Sequence, residues 1–325
     1  MKYIYMLLVT ALCFIRFEAT DAQPVKKRGN LSVKGTRVVD QNGSVIVLKG
    51  VSYGWHNWWP RFYNRESVKW LYKDWKCTVV RAAMGVEPEK GYLNSPGWSK
   101  EKTEAVIEGA IENDIYVIID WHSHGLHLEG ALKFFGEMAE KYGNYPHVIY
   151  EIYNEPVYQS WQEVKSYSIE VIRKIREFDP DNIILVGCPH WDQDIHLVAD
   201  DPIEGFENLM YTIHFYADTH SQYLRDRGDY AIKKGIPIFV SECAGMSAKG
   251  DGPINYKEWN KWIDWMNKNA IGWVCWSIAD KNETCSMLKE SAGSEGKWSK
   301  TDLKESGIKT RELLRKGKMK LISNQ

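Results

Sequence analysis

Val148-Ile149-Tyr150-Glu151-Ile152-Tyr153-Asn154-Glu155-Pro156 reads as a buried strand: a near-continuous run of β-branched and aromatic residues, stopped by a proline that cannot donate to a ladder. Alternation along such a strand puts Asn154 and Glu155 on opposite sides of its carboxyl end. A carboxylate there is costly to bury without a task. In a parallel barrel, that end of the strands is where chemistry is done. Taken alone, the tripeptide Asn154-Glu155-Pro156 is equally consistent with a solvated glutamate at a turn.

The rest of the chain decides between these readings. Apolar strand candidates recur at Val45–Ser52, Thr78–Ala83, Tyr116–Asp120, Val148–Tyr153, Ile183–Gly187, Met210–His214, Ile238–Glu242 and Gly272–Ser277. Charged amphipathic segments lie between them, such as Arg65–Trp75, Lys100–Asn113, Leu132–Tyr142, Trp161–Phe178 and Tyr256–Asn269. Eight strands with helical crossovers predict an α/β protein, a single (β/α)8 TIM barrel. A doubly wound open sheet is the alternative, but no Gly-rich phosphate loop follows the first strand. Ahead of the barrel, Leu31-Ser-Val33 and Val38-Val39 flank Lys34-Gly35-Thr36, which predicts a small N-terminal β-hairpin able to close the barrel floor. No internal repeat, linker or low-complexity tract divides residues 23–325, so one catalytic domain is expected there.

Composition narrows the class. Net charge is -1 and charged residues make up 26% of the chain, so there is no basic footprint for nucleic acid or an anionic membrane. Aromatic content is high, with 15 Trp and 18 Tyr. Flat aromatic faces suit the C–H faces of sugars, although for any single tryptophan a core position is the simpler reading. Met1 to Ala22 resemble a secretory leader: Lys2, an apolar run from Ile4 to Ile15, and the small-residue exit Thr20-Asp21-Ala22. That run is too short to span a bilayer. A soluble, secreted, monomeric protein is expected. Of six cysteines, Cys13 leaves with the leader, and Cys77, Cys188, Cys243, Cys275 and Cys285 remain. No pair has metal-ligand spacing, so no metal site is expected. An oxidising compartment allows one disulfide, Cys275 with Cys285 being one pairing, but connectivity does not follow from sequence.

Polar residues close strand after strand: Arg81, Asp120-Trp121-His122, Asn154-Glu155, His214-Phe-Tyr216, Glu242 and Trp276-Ser277. Each alone is readable as a salt bridge at a strand end. Their recurrence at one end of the strands points to a shared catalytic mouth. Glu155 and Glu242 are the same chemical type, on strands that face each other across eight. Cleaving a glycosidic bond needs a proton donor for the leaving oxygen and a second carboxylate at the anomeric carbon. His214 and Tyr216 lie two apart, on one face of their strand, and a Tyr hydroxyl there can orient a carboxylate. Arg81 would keep a neighbouring carboxylate ionised as nucleophile, and Asn154 is placed to bind the sugar 2-hydroxyl.

These motifs resemble glycoside hydrolase family 5, a clan A (β/α)8 family, in its endo-β-1,4-glucanase branch. The resemblance runs from Leu31-Ser-Val-Lys-Gly and Leu48-Lys-Gly-Val-Ser52 through Val80-Arg81, Asp120-Trp-His122, Tyr150-Glu-Ile-Tyr-Asn-Glu-Pro156 and His214-Phe-Tyr216 to Ser241-Glu242, Trp276-Ser277 and Ala279-Asp-Lys-Asn-Glu-Thr284. It implies Glu155 as general acid/base and Glu242 as nucleophile, supported by Arg81, His122, Asn154, His214 and Tyr216. It further implies Trp276 as sugar platform, Lys281 and Glu283 as contacts to adjoining sugars, and Trp191 at another subsite. The substrate would be a β-1,4-glucan, with no cofactor and a retaining mechanism whose carboxyl groups stand about 5–5.5 Å apart. Glu155 must then start protonated, with a raised pKa. Several family cellulases carry His-Gly after the first strand. This chain has Ser52-Tyr-Gly-Trp-His56, where His56 either takes that role or is a loop residue. Trp55, Trp58 and Trp59 in this loop are candidates for sugar stacking, with packing under the loop as the plainer reading. A mannanase, xylanase or xyloglucanase shares the same chemistry. A non-catalytic sugar-binding barrel predicts loss of a carboxylate, and a serine hydrolase would need a Gly-x-Ser-x-Gly elbow that does not occur.

Overall fold

The structure, a computed structural model, describes residues 25–316. The expected leader and Cys13 lie outside them. A short helix α1 (Val25–Arg28) leads into the hairpin β1 (Ser32–Lys34) and β2 (Arg37–Val39). The first barrel strand is β3 (Lys49–Tyr53). It is followed by α2 (Arg65–Trp70), which runs on as a π turn to Trp75, and then by β4 (Val79–Gly85) and α3 (Pro96–Glu112). Next come β5 (Tyr116–His122), α4 (Leu128–Tyr142), β6 (Val148–Glu151), α5 (Trp161–Arg176) and β7 (Ile184–Val186). Two short helices, α6 (Pro189–Asp192) and α7 (Ile195–Asp200), precede β8 (Leu209–Tyr216). The circuit ends with α8 (Gln222–Lys233), β9 (Ile238–Ala244), α9 (Tyr256–Lys268), β10 (Trp273–Ile278) and α10 (Glu305–Arg315). Strands β3 to β10 pair in parallel with their sequence neighbours, and β10 returns to β3, so the sheet closes. This is the (β/α)8 barrel expected from the alternating pattern.

Period-two alternation sorts each strand into two environments. In β4, Val80, Ala82 and Met84 face the helices and join the large outer core. Val79 points into the barrel floor, and Ala83 joins a smaller cluster with Trp276. Arg81 lies between these two on the inward face. In β5, Val117, Ile119 and Trp121 pack outward. Tyr116 and Ile118 join the floor, and Asp120 and His122 continue the same inward row. The hairpin seals that floor: Leu31, Val38 and Leu48 pack with Val79, Ile149, Met210, Phe239 and Val274. Backbone N of Val33 donates to Asn208 Oδ1 at 2.9 Å, pinning the hairpin to the start of β8.

Tryptophan serves mostly as core. Trp75, Trp121, Trp259, Trp262, Trp273 and Trp298 are fully buried. Helix α9 lays Trp262 flat on Phe215 of β8, with centroids 4.1 Å apart and planes at 6°. A pair of this kind contributes about 0.5–1.5 kcal/mol beyond its buried area. The described cysteines are all free thiols. Cys275 points outward beside Cys243 of the neighbouring strand, 3.6 Å between sulfurs. Cys285 sits in the inward cluster with Trp276. The pairing of Cys275 with Cys285 is therefore not formed, because the two thiols lie on opposite sides of β10.

Strand β3 tolerates no side chain at Gly50, where a Cβ would come 1.7 Å from the carbonyl oxygen of Val79. Gly50→Ala should therefore cost at least about 3 kcal/mol, read as a fall in the urea midpoint. A variant as stable as the parent would show that β3 and β4 can move apart freely.

Candidate active site

Arg81 organises the mouth. Its guanidinium is fully buried. Nε and Nη2 donate to the two oxygens of Glu151 at 2.7 and 3.2 Å. Nη2 also donates to Asn154 Oδ1 at 2.6 Å and lies 3.0 Å from Asp120 Oδ2. Nη1 donates to Glu242 Oε2 at 3.1 Å and to Ser52 Oγ at 3.4 Å. A buried cation is tolerable only when its fork of donors is filled this way. Burial favours the neutral form, but Asp120, Glu151 and Glu242 outweigh it and raise the Arg81 pKa. Burial likewise opposes a charge on Glu151, yet Arg81 and His214 hold its carboxyl below the usual range. Asp120 goes the other way, driven well up by burial.

Strand β8 presents His214 and Tyr216 on one face, as their spacing requires. Each engages a different carboxylate. Tyr216 donates its hydroxyl to Glu242 Oε1 at 2.7 Å, and His214 Nδ1 lies 2.9 Å from Glu155 Oε1. His214 Nε2 faces Ser241 Oγ at 2.9 Å and Asp192 Oδ2 at 3.2 Å. Ligand atoms of Glu155, His214 and Glu242 all fall within 4.8 Å of one another. Strand β6 ends at Glu151, earlier than its sequence implies. The chain beyond it still follows β5, with the N–H groups of Asn154 and Glu155 donating to the carbonyls of Trp121 and Ser123. That detour carries both residues into the mouth.

The charges of the two carboxyl groups differ from expectation. Burial would raise Glu155, but bonds from His124 and His214 prevail and hold its pKa at about 2. Burial and the nearby Glu155 raise Glu242 against the pull of His214, Arg81 and Tyr216. Burial would lower His214, but Asp192, Glu151, Glu155 and Glu242 lift it well above the ordinary imidazole value. Glu155 is thus held low, opposite to the raised value expected of a general acid.

Two carboxylates facing each other across a barrel mouth, one held by Tyr and Arg and the other by His, form a site for glycoside chemistry, and similarity to known proteins agrees. Residues 39–282 match the family model for cellulase, glycosyl hydrolase family 5. The chain belongs to glycosyl hydrolase family 5. An endoglucanase of Clostridium saccharobutylicum is 41% identical over 312 residues, covering 94% of this chain and 69% of that protein. Endoglucanase N of Pectobacterium atrosepticum is 41% identical over 310 residues, 93% of this chain and 69% of the relative. Among solved structures, an endoglucanase catalytic domain of Thermobifida fusca in complex with cellotetraose superposes with a TM-score of 0.85. It is 32% identical and covers 90% of this chain and 99% of that one.

Around the family 5 carboxylate pair, the remaining predicted residues divide. His122 bonds Asp120 Oδ2 through Nδ1 at 2.7 Å and stacks on Trp276, centroids 5.1 Å apart and planes at 6°. Trp55 stands edge-on to His122 at 4.3 Å and carries Trp58, which is 54% exposed. Trp191 is 39% exposed, and its backbone N donates to the carbonyl of Pro156, beside Glu155. Lys281 pairs with Glu283 at 2.5 Å, and Glu283 in turn touches Cys285 beneath Trp276. His56 does not join the mouth. It is fully buried, its Nδ1 accepting from Gly85 N at 2.9 Å and its Nε2 facing Ser99 Oγ at 2.9 Å. Of the alternatives for His56, the structure thus favours a loop support over a substrate contact. Glu151, Asp192 and His124 were not singled out from sequence. Only Glu151 carried a signal there, sharing the inward parity of Ile149.

Burial lowers the His56 pKa from 6.5 to about 4. The unfolded chain therefore takes up this proton first. The stability contributed by neutral His56 is whole above pH 6.5 and declines as pH falls toward 4, by up to about 3 kcal/mol. His56→Gln should be less stable at pH 7 but lose less between pH 7 and 4, measured by urea midpoints across that range. Parallel slopes for the two proteins would remove His56 from the acid response.

Proposed function

We propose that this family 5 hydrolase is a secreted, retaining endo-β-1,4-glucanase. The observation that carries the reading is the approach of Glu155 and Glu242, with oxygens within 4.8 Å. An inverting enzyme holds its carboxyl groups about 6.5–9.5 Å apart, to leave room for a water. Here the gap suits direct attack by one carboxylate. Glu242 is the nucleophile: the Tyr216 hydroxyl and Arg81 Nη1 fix its two oxygens and stabilise its charged form. A Glu242 oxygen bonds to the anomeric carbon as the glycosidic C–O bond breaks, and the departing oxygen takes a proton from Glu155. Glu155 then removes a proton from water, whose oxygen attacks the same carbon and releases Glu242. Two carboxyl groups suffice for both steps.

Other groups support a glucan in this cleft. Arg81 fixes Asn154 Oδ1, so the amide presents its NH2 toward a sugar hydroxyl. Trp276 offers an aromatic platform, with Trp58 and Trp191 farther out as stacking faces. Lys281 and Glu283 form a charged pair that can bond adjoining sugars. The names of the relatives and the cellotetraose bound to the Thermobifida fusca domain point to β-1,4-glucan rather than mannan or xylan. Secretion rests on the leader-like residues Met1 to Ala22. Among the described residues, no helix is long and apolar enough to cross a membrane.

Glu155→Gln should lower turnover of carboxymethyl cellulose by about 10²–10⁴, and Glu242→Gln should abolish it, both with unchanged circular dichroism. Substantial hydrolysis by the Glu242 variant would remove it from the nucleophile's role. In a screen over carboxymethyl cellulose, barley glucan, mannan, xylan and xyloglucan, the first two should be cut fastest. The viscosity of soluble cellulose should drop well before reducing ends accumulate; the reverse order would mean attack from chain ends.

A further inference from the structure

Both oxygens of Glu155 are engaged in the free protein. Oε1 faces His214 Nδ1 at 2.9 Å, and Oε2 faces His124 Nε2 at 3.3 Å. Each oxygen of Glu155 thus already has an imidazole nitrogen as partner before any sugar arrives. The two histidines are not alike. His214 is buried and locked from behind by Ser241 and Asp192. The His124 side chain is 43% exposed, and its ring centroid lies 5.6 Å from that of Trp55 and 6.4 Å from that of His122. Its backbone is anchored separately, with N–H donating to Glu87 Oε1 at 2.9 Å. Glu87 also accepts from Gly125 N and Ser123 Oγ and lies 3.2 Å from His127 Nε2. The loop is therefore fixed while the imidazole can swing about its two side-chain torsions.

We infer that His124 is a positioning residue that caps the cleft-side oxygen of Glu155 in the free protein and yields it, together with a proton, when a glucan chain enters. This rests on the reading of Glu155 as acid/base. The leaving oxygen of a bound sugar must approach Glu155 from the cleft, and of the two capped oxygens only Oε2 has an exposed, displaceable partner. Sugar entry would also strip water from the ion pair, and a dehydrated pair favours the neutral forms, carboxylic acid and imidazole.

The charges around the pair come from several elements. Glu87, Glu155 and Glu242 all favour a protonated His124, raising its pKa against burial. His122 of β5 faces the same ring, with centroids 6.4 Å apart. Glu155 is faced in addition by His214 and Tyr216 of β8, by Asp192 of α6 and by His220 beyond β8. Within this set, an imidazolium at His124 holds the free carboxyl low. Its removal leaves the carboxyl to hold the proton alone, and the last proton of the site is then lost at lower pH.

The test is the pH dependence of kcat/KM for cellopentaose, whose leaving sugar needs a proton, and for dinitrophenyl cellobioside, whose leaving group does not. His124→Ala should move the basic limb for cellopentaose downward by about one pH unit, a roughly tenfold loss in activity well above the limb. The limb for the dinitrophenyl glycoside should stay in place. His124→Gln, which keeps an N–H but loses the charge, should move the cellopentaose limb in the same direction. A limb that stays put or moves up in the Ala variant overturns the inference, as does an equal shift on both substrates. Glu155→Ala with azide and the dinitrophenyl glycoside provides an independent arm. Formation of a β-cellobiosyl azide upholds Glu155 as acid/base whatever His124 does. Its absence removes that reading and the inference with it.

Discussion

A guanidinium with no water around it must find every partner inside the protein. Arg81 does so by drawing Glu151, Asp120, Asn154 and Glu242 from four other places in the chain toward one plane. Removing any of them would leave one of its buried donors without that acceptor. The network therefore acts as a template for the mouth: it fixes the orientation of Glu242 and of the Asn154 amide before a sugar arrives. The barrel below supplies the rigidity, because the inward row of β4 alternates with an outward row packed against helices.

Acids outnumber fixed cations in this interior. Asp120, Glu151, Asp192, Glu155 and Glu242 converge on one arginine and on His214, which is held protonated. Burial drives the pKa of Asp120 and Asp192 well up and that of Glu242 upward, while direct bonds to Arg81 and the histidines hold Glu151 and Glu155 down. A coupled cluster of this kind can redistribute protons when one member is covered by substrate or converted to an ester. The two histidines on Glu155 then matter more than the carboxyl's own burial.

Alternation along single strands made much of this legible beforehand. The eight strand positions, the shared face of His214 and Tyr216, and the link from Arg81 to a carboxylate all follow from period-two geometry plus the expense of burying charge. Helices with an apolar stripe were equally plain. Helix α8 was not, because beside Leu224 and Ala231 it buries Arg225 and Gly228, where Trp265 lies against the backbone. Helix α10 likewise buries Ser306, Gly307 and Thr310, residues that look like surface when read in a line. His56 misleads for the opposite reason: an imidazole in a loop beside a catalytic strand looks functional, yet its ring bridges Gly85 and Ser99.

The sequence by itself determined the barrel, its floor and the two glutamates, since each depends on local periodicity or on a residue type with few other uses. Which thiols face each other, where His56 points and how Glu155 is protonated were decided only in three dimensions. Those properties arise where separate strands and loops meet, and pairwise distances of a few ångströms set them. The histidine that caps Glu155 belongs to this second group. His124 sits 31 residues away in the chain and 3.3 Å away in the fold, a neighbour only because β5 and β6 run side by side.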